Sequence, residues 1–252
     1  MLIRFVTVII FFTTLIFAKT INIAVSANVS YAMPTLQKEF SKLYPSIKTR
    51  IILGSSGKLT AQISNGAPYD IFLSANMKYP NKLYEDKIAI TKPIVYAKGT
   101  LAILSPNQRS FKHGIKLLKS KLVKRIAIAN PKTAPYGVAT FEALKNVNIL
   151  DDIKDKIIYG ESISQTVTYT MMVADVGIVA KSSLYSPKLV NIHENVHWVE
   201  VDKTLYSPIK QGMVILKNAK DLKNYKEVKL FYDFMLSQKG KNILKEFGYQ
   251  IP

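Results

Sequence analysis

No cysteine occurs anywhere in the 252 residues. That excludes a lipid-modified cysteine anchor, a disulfide framework and any thiolate metal site. Histidine is nearly missing, at three, and 17 acidic residues face 35 lysines and arginines, for a formal charge of +18. Arginine is scarce too: Arg4, Arg50, Arg109 and Arg125 are the only four. The lysines are scattered singly and form no stripe interleaved with aromatics, so nucleic acid is not the expected partner and the charge reads as a solvated surface. A field of that sign also gathers small anions and speeds their arrival. The chain has no internal repeat, no low-complexity segment and, past its N-terminus, no second long apolar run. No serine–histidine–acid set and no pair of carboxylates announces a hydrolase.

What is present begins with MLIRFVTVIIFFTTLIFAKT. Arg4 precedes an apolar run from Phe5 to Phe17, and Ala18 supplies a small residue for cleavage. About 13 apolar residues are too few to span a bilayer, so residues 1–18 read as a signal peptide and the mature protein is expected to begin near Lys19, in the periplasm.

Beyond it, short apolar runs alternate with helical periodicity, and at 48% hydrophobic content the chain can fill one large domain or two lobes. Strands are expected at Ile21–Val25, Ile51–Leu53, Ile71–Leu73, Leu101–Leu104, Ile126–Ile128, Ile157–Tyr159, Val176–Val179 and Met213–Leu216. Helices are expected through Leu36, Phe40 and Leu43 on one face, over Leu59–Asn65 with Gly66 as its stop, and over Val138–Lys145, Gln165–Val173, Val228–Ser237 and Gly240–Phe247. The alternation argues for α/β lobes, each an open sheet flanked by helices. Pro93 and Pro208 each precede an apolar strand and bracket an inserted lobe.

Open α/β sheets bind ligands outside the carboxyl ends of their strands, where helices begin. Four such junctions are small or hydroxyl-rich: Ser26-Ala27-Asn28, Gly54-Ser55-Ser56-Gly57, Pro135-Tyr136-Gly137 and Gly160-Glu161-Ser162-Ile163-Ser164. Any one of them is ordinary capping; four on two prospective lobes point to a shared anion pocket made by unpaired N–H groups. The second is no nucleotide loop, since only two residues separate its glycines and Leu59 follows Lys58.

These junctions carry a resemblance. GSSGKLTAQISNGAPYDIFLSAN over Gly54–Asn76, with INIAVSANVSYAM, NPKTAPYGVATFEAL, GESISQTV and FYDFMLSQKGKNILKEFGY in that order, resembles the periplasmic molybdate-binding proteins of ABC transporters over essentially the whole mature length. The resemblance implies a type II, two-lobed periplasmic binding protein fold, with residues 19–96 and 206–252 as lobe I, 97–205 as lobe II, and crossovers near Ile94–Lys98 and Thr204–Pro208. It implies an exported monomer that is not an enzyme, needs no cofactor, captures molybdate or tungstate and hands it to the membrane permease of an ABC importer. The oxyanion contacts it implies are Asn28, Ser56, Tyr136 and Ile163: Ile163 through backbone N–H alone, the others through side-chain donors as well, with no direct bond to the metal. The best-known members carry a tyrosine at the position of Ala180 and a small residue at that of Tyr136, so here one phenol comes from a different segment.

The chemistry fits that implication. Molybdate and tungstate are fully deprotonated dianions at neutral pH and want donors only, whereas phosphate keeps a proton and needs an acceptor that these junction residues do not supply. Sulfate differs mainly in size.

One motif competes. His193-Glu194-Asn195-Val196-His197 fits the zinc-hydrolase pattern H-E-x-x-H, in which two histidines one helical turn apart hold the metal and the glutamate activates water. Leu189, Ile192, Val196 and Val199 allow a helical stripe, but Val196–Asp202 alternates as a strand, Asn191 and Asn195 are poor helix formers, and the third ligand would have to be Glu227. The expectation is that this match is accidental.

Overall fold

The runs LAIL, IAIA and VGIVA become strands with every residue buried, the signature of sheets covered by helices on both faces. The computed structural model describes residues 19–221 and 224–252; the expected signal peptide lies outside them. In chain order the elements are β1 (Lys19–Ser26), α1 (Met33–Leu43), β2 (Ile47–Gly54), α2 (Ser56–Ser64), β3 (Ile71–Leu73), α3 (Lys78–Glu85), β4 (Ile94–Gly99) and β5 (Leu101–Leu104). Then follow β6 (Ile126–Ala129), α4 (Pro135–Asn146), α5 (Leu150–Ile153), β7 (Ile157–Gly160), α6 (Ile163–Met172), β8 (Val176–Ala180) and β9 (Trp198–Glu200). The chain closes with β10 (Ile209–Ile215), α7 (Lys217–Asp221), α8 (Tyr225–Leu236) and α9 (Gln238–Glu246).

The strands form two five-stranded sheets, ordered β2-β1-β3-β10-β4 and β7-β6-β8-β5-β9. In each, a parallel core is extended by antiparallel strands: β10 against β3 and β4, β5 against β8 and β9. The chain passes from the first sheet to the second at Thr100, between β4 and β5, and returns between β9 and β10. This is the two-lobed fold expected, each sheet flanked by helices. Among the described residues no helix is long and apolar enough to cross a membrane.

Each sheet carries a hydrophobic cluster on either face. In the first lobe α1 packs Leu36 and Phe40 onto the sheet, and Phe40 meets Phe231 of α8 edge-on at 5.0 Å, a contact worth about 0.5–1.5 kcal/mol beyond its area. Leu43, expected on that face, is 53% exposed. It is the last helical residue, and the next one, Tyr44, packs its ring 5.0 Å from Phe40. Gly66 does stop α2: at φ +85° it adopts the left-handed conformation open to glycine, and its N–H bonds Ile63 O at 3.0 Å.

Candidate functional site

Four strand-to-helix junctions, two from each sheet, converge where the lobes meet. Ser26 ends β1 and leads into a single tight turn at Ala27–Val29; Ser55, Ala134 and Ser162, all extended, precede α2, α4 and α6. First-turn N–H groups have no acceptor inside their own helix. Gly57 N–H and Gly137 N–H find Thr133 O and Ala134 O, each at 2.9 Å. The N–H groups of Asn28, Ser56, Tyr136 and Ile163 have no acceptor among the described residues. All four residues are buried, and they line one small cavity with Ser26, Ala27, Ser55, Ala75, Ala134 and Pro135. The room left there for the centre of a water-sized body is about 10 Å³. None of its lining residues is charged.

The hydroxyls extend this donor set. Ser56 Oγ accepts from Ala75 N at 3.0 Å, and Tyr136 Oη accepts from Gln211 Nε2 at 3.2 Å. Neither proton has an acceptor among the described residues, and Ser55 Oγ, which sequence reasoning passed over, is buried without a partner. Burial pushes the Tyr136 phenol well above its ordinary range, with Tyr249, Tyr96 and Tyr206 adding to the effect, so it stays a protonated donor. Asn28 differs from expectation: its Nδ2 donates to Gln211 Oε1 at 2.7 Å and to Tyr249 Oη at 3.0 Å, which uses both amide protons. Its backbone carbonyl accepts from Ser182 Oγ and Tyr249 Oη at 3.0 and 2.7 Å, while its side-chain Oδ1 is buried without a partner among the described residues. Asn28 is thereby anchored, and the one proton it has left for the cavity is that of its backbone N–H.

Contacts between the lobes close the rim. Ser164 Oγ donates to Ala27 O at 2.9 Å, Gly57 N–H reaches Thr133 O, and Lys58 pairs with Glu161. Ala180, buried at the end of β8 opposite Leu101, brings no polar group. A far larger groove, about 690 Å³, runs between Tyr31, Pro34 and Phe247 on one lobe and Val167, Met171 and Leu189 on the other. Its walls are mainly apolar, with Lys188 the one charged residue among them, and they present no converging set of buried N–H donors, so volume does not select the site.

The structure does not support the zinc-hydrolase alternative. His193–His197 is a turn, with Asn195 at φ +61° and Glu194 bridged to Trp198. His197 Nδ1 accepts from His193 N–H at 3.2 Å. Glu227, the required third ligand, pairs instead with Lys19. Among the described residues no three histidines or carboxylates come together to hold a metal. Asn195 in the left-handed region is what prevents the helix that the spacing of apolar residues allowed.

Residues 21–250 match the family model described as bacterial extracellular solute-binding protein. The chain is 33% identical to the molybdate-binding protein ModA of Rhodobacter capsulatus, over 78% of this chain and 75% of that one. It is 32% identical to ModA of Azotobacter vinelandii, over 90% and 88%. The structure superposes on that of the Azotobacter vinelandii periplasmic molybdate-binding protein with a TM-score of 0.84 at 29% identity, covering 92% of this chain and 99% of the other.

Proposed function

The chain belongs to the family of bacterial extracellular solute-binding proteins, and from that premise we propose that it captures molybdate, with tungstate as a close substitute, in the periplasm and delivers it to an ABC importer. The observation that carries the reading is the donor set: four unpaired N–H groups, three on helix N-termini and one in the tight turn after β1, with the Ser56 and Tyr136 hydroxyl protons, around a buried cavity lined by no charged residue. Asn28, Ser56, Tyr136 and Ile163 hold the anion, Asn28 and Ile163 through N–H and the other two through N–H and O–H. A dianion without protons satisfies every such donor, and a ligand that keeps a proton finds no carboxylate among the lining residues to take it. Hydrogen bonds to a charged group contribute about 1.5–3 kcal/mol each. Six of them supply about 9–18 kcal/mol, from which the costs of association and closure are met, against the roughly 8 kcal/mol of micromolar binding.

The relatives named for molybdate support the choice of ligand. In the same reading residues 1–18 are removed on export, the protein acts as a monomer, its membrane partner is the importer's permease, and neither a cofactor nor a catalysed reaction enters. Calorimetric titration with molybdate, tungstate, sulfate and phosphate tests it. The expected outcome is one submicromolar site for molybdate and tungstate and no comparable binding of phosphate; phosphate binding as tight as molybdate would refute it.

A further inference from the structure

Strand β10 reads IKQGMVI, and Gln211 is its one fully buried polar side chain. The sheet register explains its direction. Gln211 pairs with Ala97 but Gly212 with Val95, so Tyr96 is the extra residue of a bulge, and bulges re-aim side chains beside sites. Tyr96 Oη thereby reaches Gln211 Oε1 at 3.0 Å, and the same oxygen accepts from Asn28 Nδ2 at 2.7 Å.

These bonds read in one direction. Tyr249 gives its proton to Asn28 O, so its oxygen is free to accept from Asn28 Nδ2. The second Asn28 amide proton then goes to Gln211 Oε1, which leaves Gln211 Nε2 to face Tyr136 Oη at 3.2 Å. A phenol oxygen that accepts from an amide directs its own proton elsewhere. For Tyr136, elsewhere is the cavity it lines, since no other acceptor for that proton is found among the described residues.

We propose that Gln211 is a positioning residue that fixes the polarity of the Tyr136 phenol, holding it as a donor toward the bound oxyanion and so favouring ligands that carry no proton. The proposal rests on the oxyanion reading of the cavity and adds a residue that lines none of it. With the amide reversed, its carbonyl would take the phenol proton and the phenol's lone pairs would face the anion.

The test compares Gln211→Leu and Gln211→Glu, each alone and combined with Tyr136→Phe, by calorimetric titration of the folded proteins with molybdate between pH 5.5 and 8. Gln211→Leu alone should weaken binding roughly tenfold or more, but by under about threefold once the phenol is gone, because the two residues act through one interaction. Gln211→Glu is the nearly isosteric control, and it carries the test if the leucine variant does not fold. At pH 8 its carboxylate would draw the phenol proton and add a buried negative charge. Burial raises a carboxyl pKa, and below that pKa the neutral O–H can donate as the amide does. Its affinity should therefore recover about tenfold or more as pH falls, while the parent's stays level. Equal losses for Gln211→Leu with and without the phenol, or parent-like binding by Gln211→Glu at pH 8, would overturn the proposal. Failure of the parent protein itself to bind molybdate would instead overturn the reading beneath it.

Discussion

Gly99→Ala probes the meeting of the two lobes with a single methyl group. Gly99 is the last residue of β4, and a Cβ built on it falls 1.9 Å from Tyr136 Oη, 2.8 Å from Gln211 Nε2 and 2.9 Å from Tyr136 Cζ. Ordinary van der Waals separation is about 3.5 Å, so the phenol must retreat by roughly 1.5 Å. That displacement breaks its bond to Gln211 and withdraws the hydroxyl from the cavity. Overpacking of this kind costs about 1–3 kcal/mol, and a lost charge-assisted donor about 1.5–3 kcal/mol. Because one movement causes both, the expected total is about 2–4 kcal/mol, a loss of roughly 30- to 1000-fold in molybdate affinity. The severe clash, with Tyr136, joins residues of opposite lobes, so parting the lobes relieves it; the 2.8 Å approach to Gln211 Nε2, on β10 of the same sheet, is left to a small shift of that flexible side chain. The cost should fall on binding, with the melting temperature of the ligand-free protein shifted by no more than about 4 °C. Calorimetry gives the affinity and a thermal melt the stability. Affinity within about threefold of the parent, or a large drop in melting temperature with unchanged affinity, would refute the reasoning.

Tyr136→Phe keeps the ring and removes the hydroxyl; molybdate affinity should fall about ten- to hundredfold by calorimetry, and the orphaned Gln211 Nε2 should cost about 1–3 kcal/mol in a denaturant titration. Burial holds Tyr249 at about 12 and Tyr136 well above the ordinary phenol value, so the protonated donors persist below those values and are lost only as pH rises through them. Molybdate affinity should accordingly be level between about pH 6 and 9, and a decline with a midpoint inside that range would contradict the assignment of neutral phenols. Elemental analysis after dialysis should find far less than one zinc per chain; a stoichiometric zinc lost on replacing His193 and His197 together would restore the hydrolase reading.

Much of the fold was legible because its strands are uniform. Strands were expected at Leu101–Leu104, Ile126–Ile128 and Val176–Val179, where LAIL, IAIA and VGIVA form them with at most one further residue, and the helix following Gly54-Ser55-Ser56 stops at Gly66. Helix α3 was not legible: Pro80 sits in its first turn and, apart from that proline, only Leu83 is buried, so it shows no apolar stripe. The four junctions stood out because each couples small or hydroxyl residues to a helix start, a local pattern. Gln211 carried no such mark. Its partners Tyr96 and Asn28 lie 115 and 183 residues away, and only the bulge in the finished sheet turns Tyr96 toward it. The commitment of the Asn28 amide to that network was hidden for the same reason. The His193–His197 match shows the converse, a local spacing that suits a metal in a segment that the folded chain makes a turn.

The central claim is that the anion sits among the four strand-end junctions, three of them helix N-termini. Anomalous diffraction from crystals grown with tungstate locates the metal directly. The account predicts a single strong peak in the cavity bounded by Asn28, Ser56, Tyr136 and Ile163, with ligand oxygens about 3 Å from their four backbone nitrogens. A peak in the apolar groove beside Tyr31 and Met171, or none between the lobes, would contradict it.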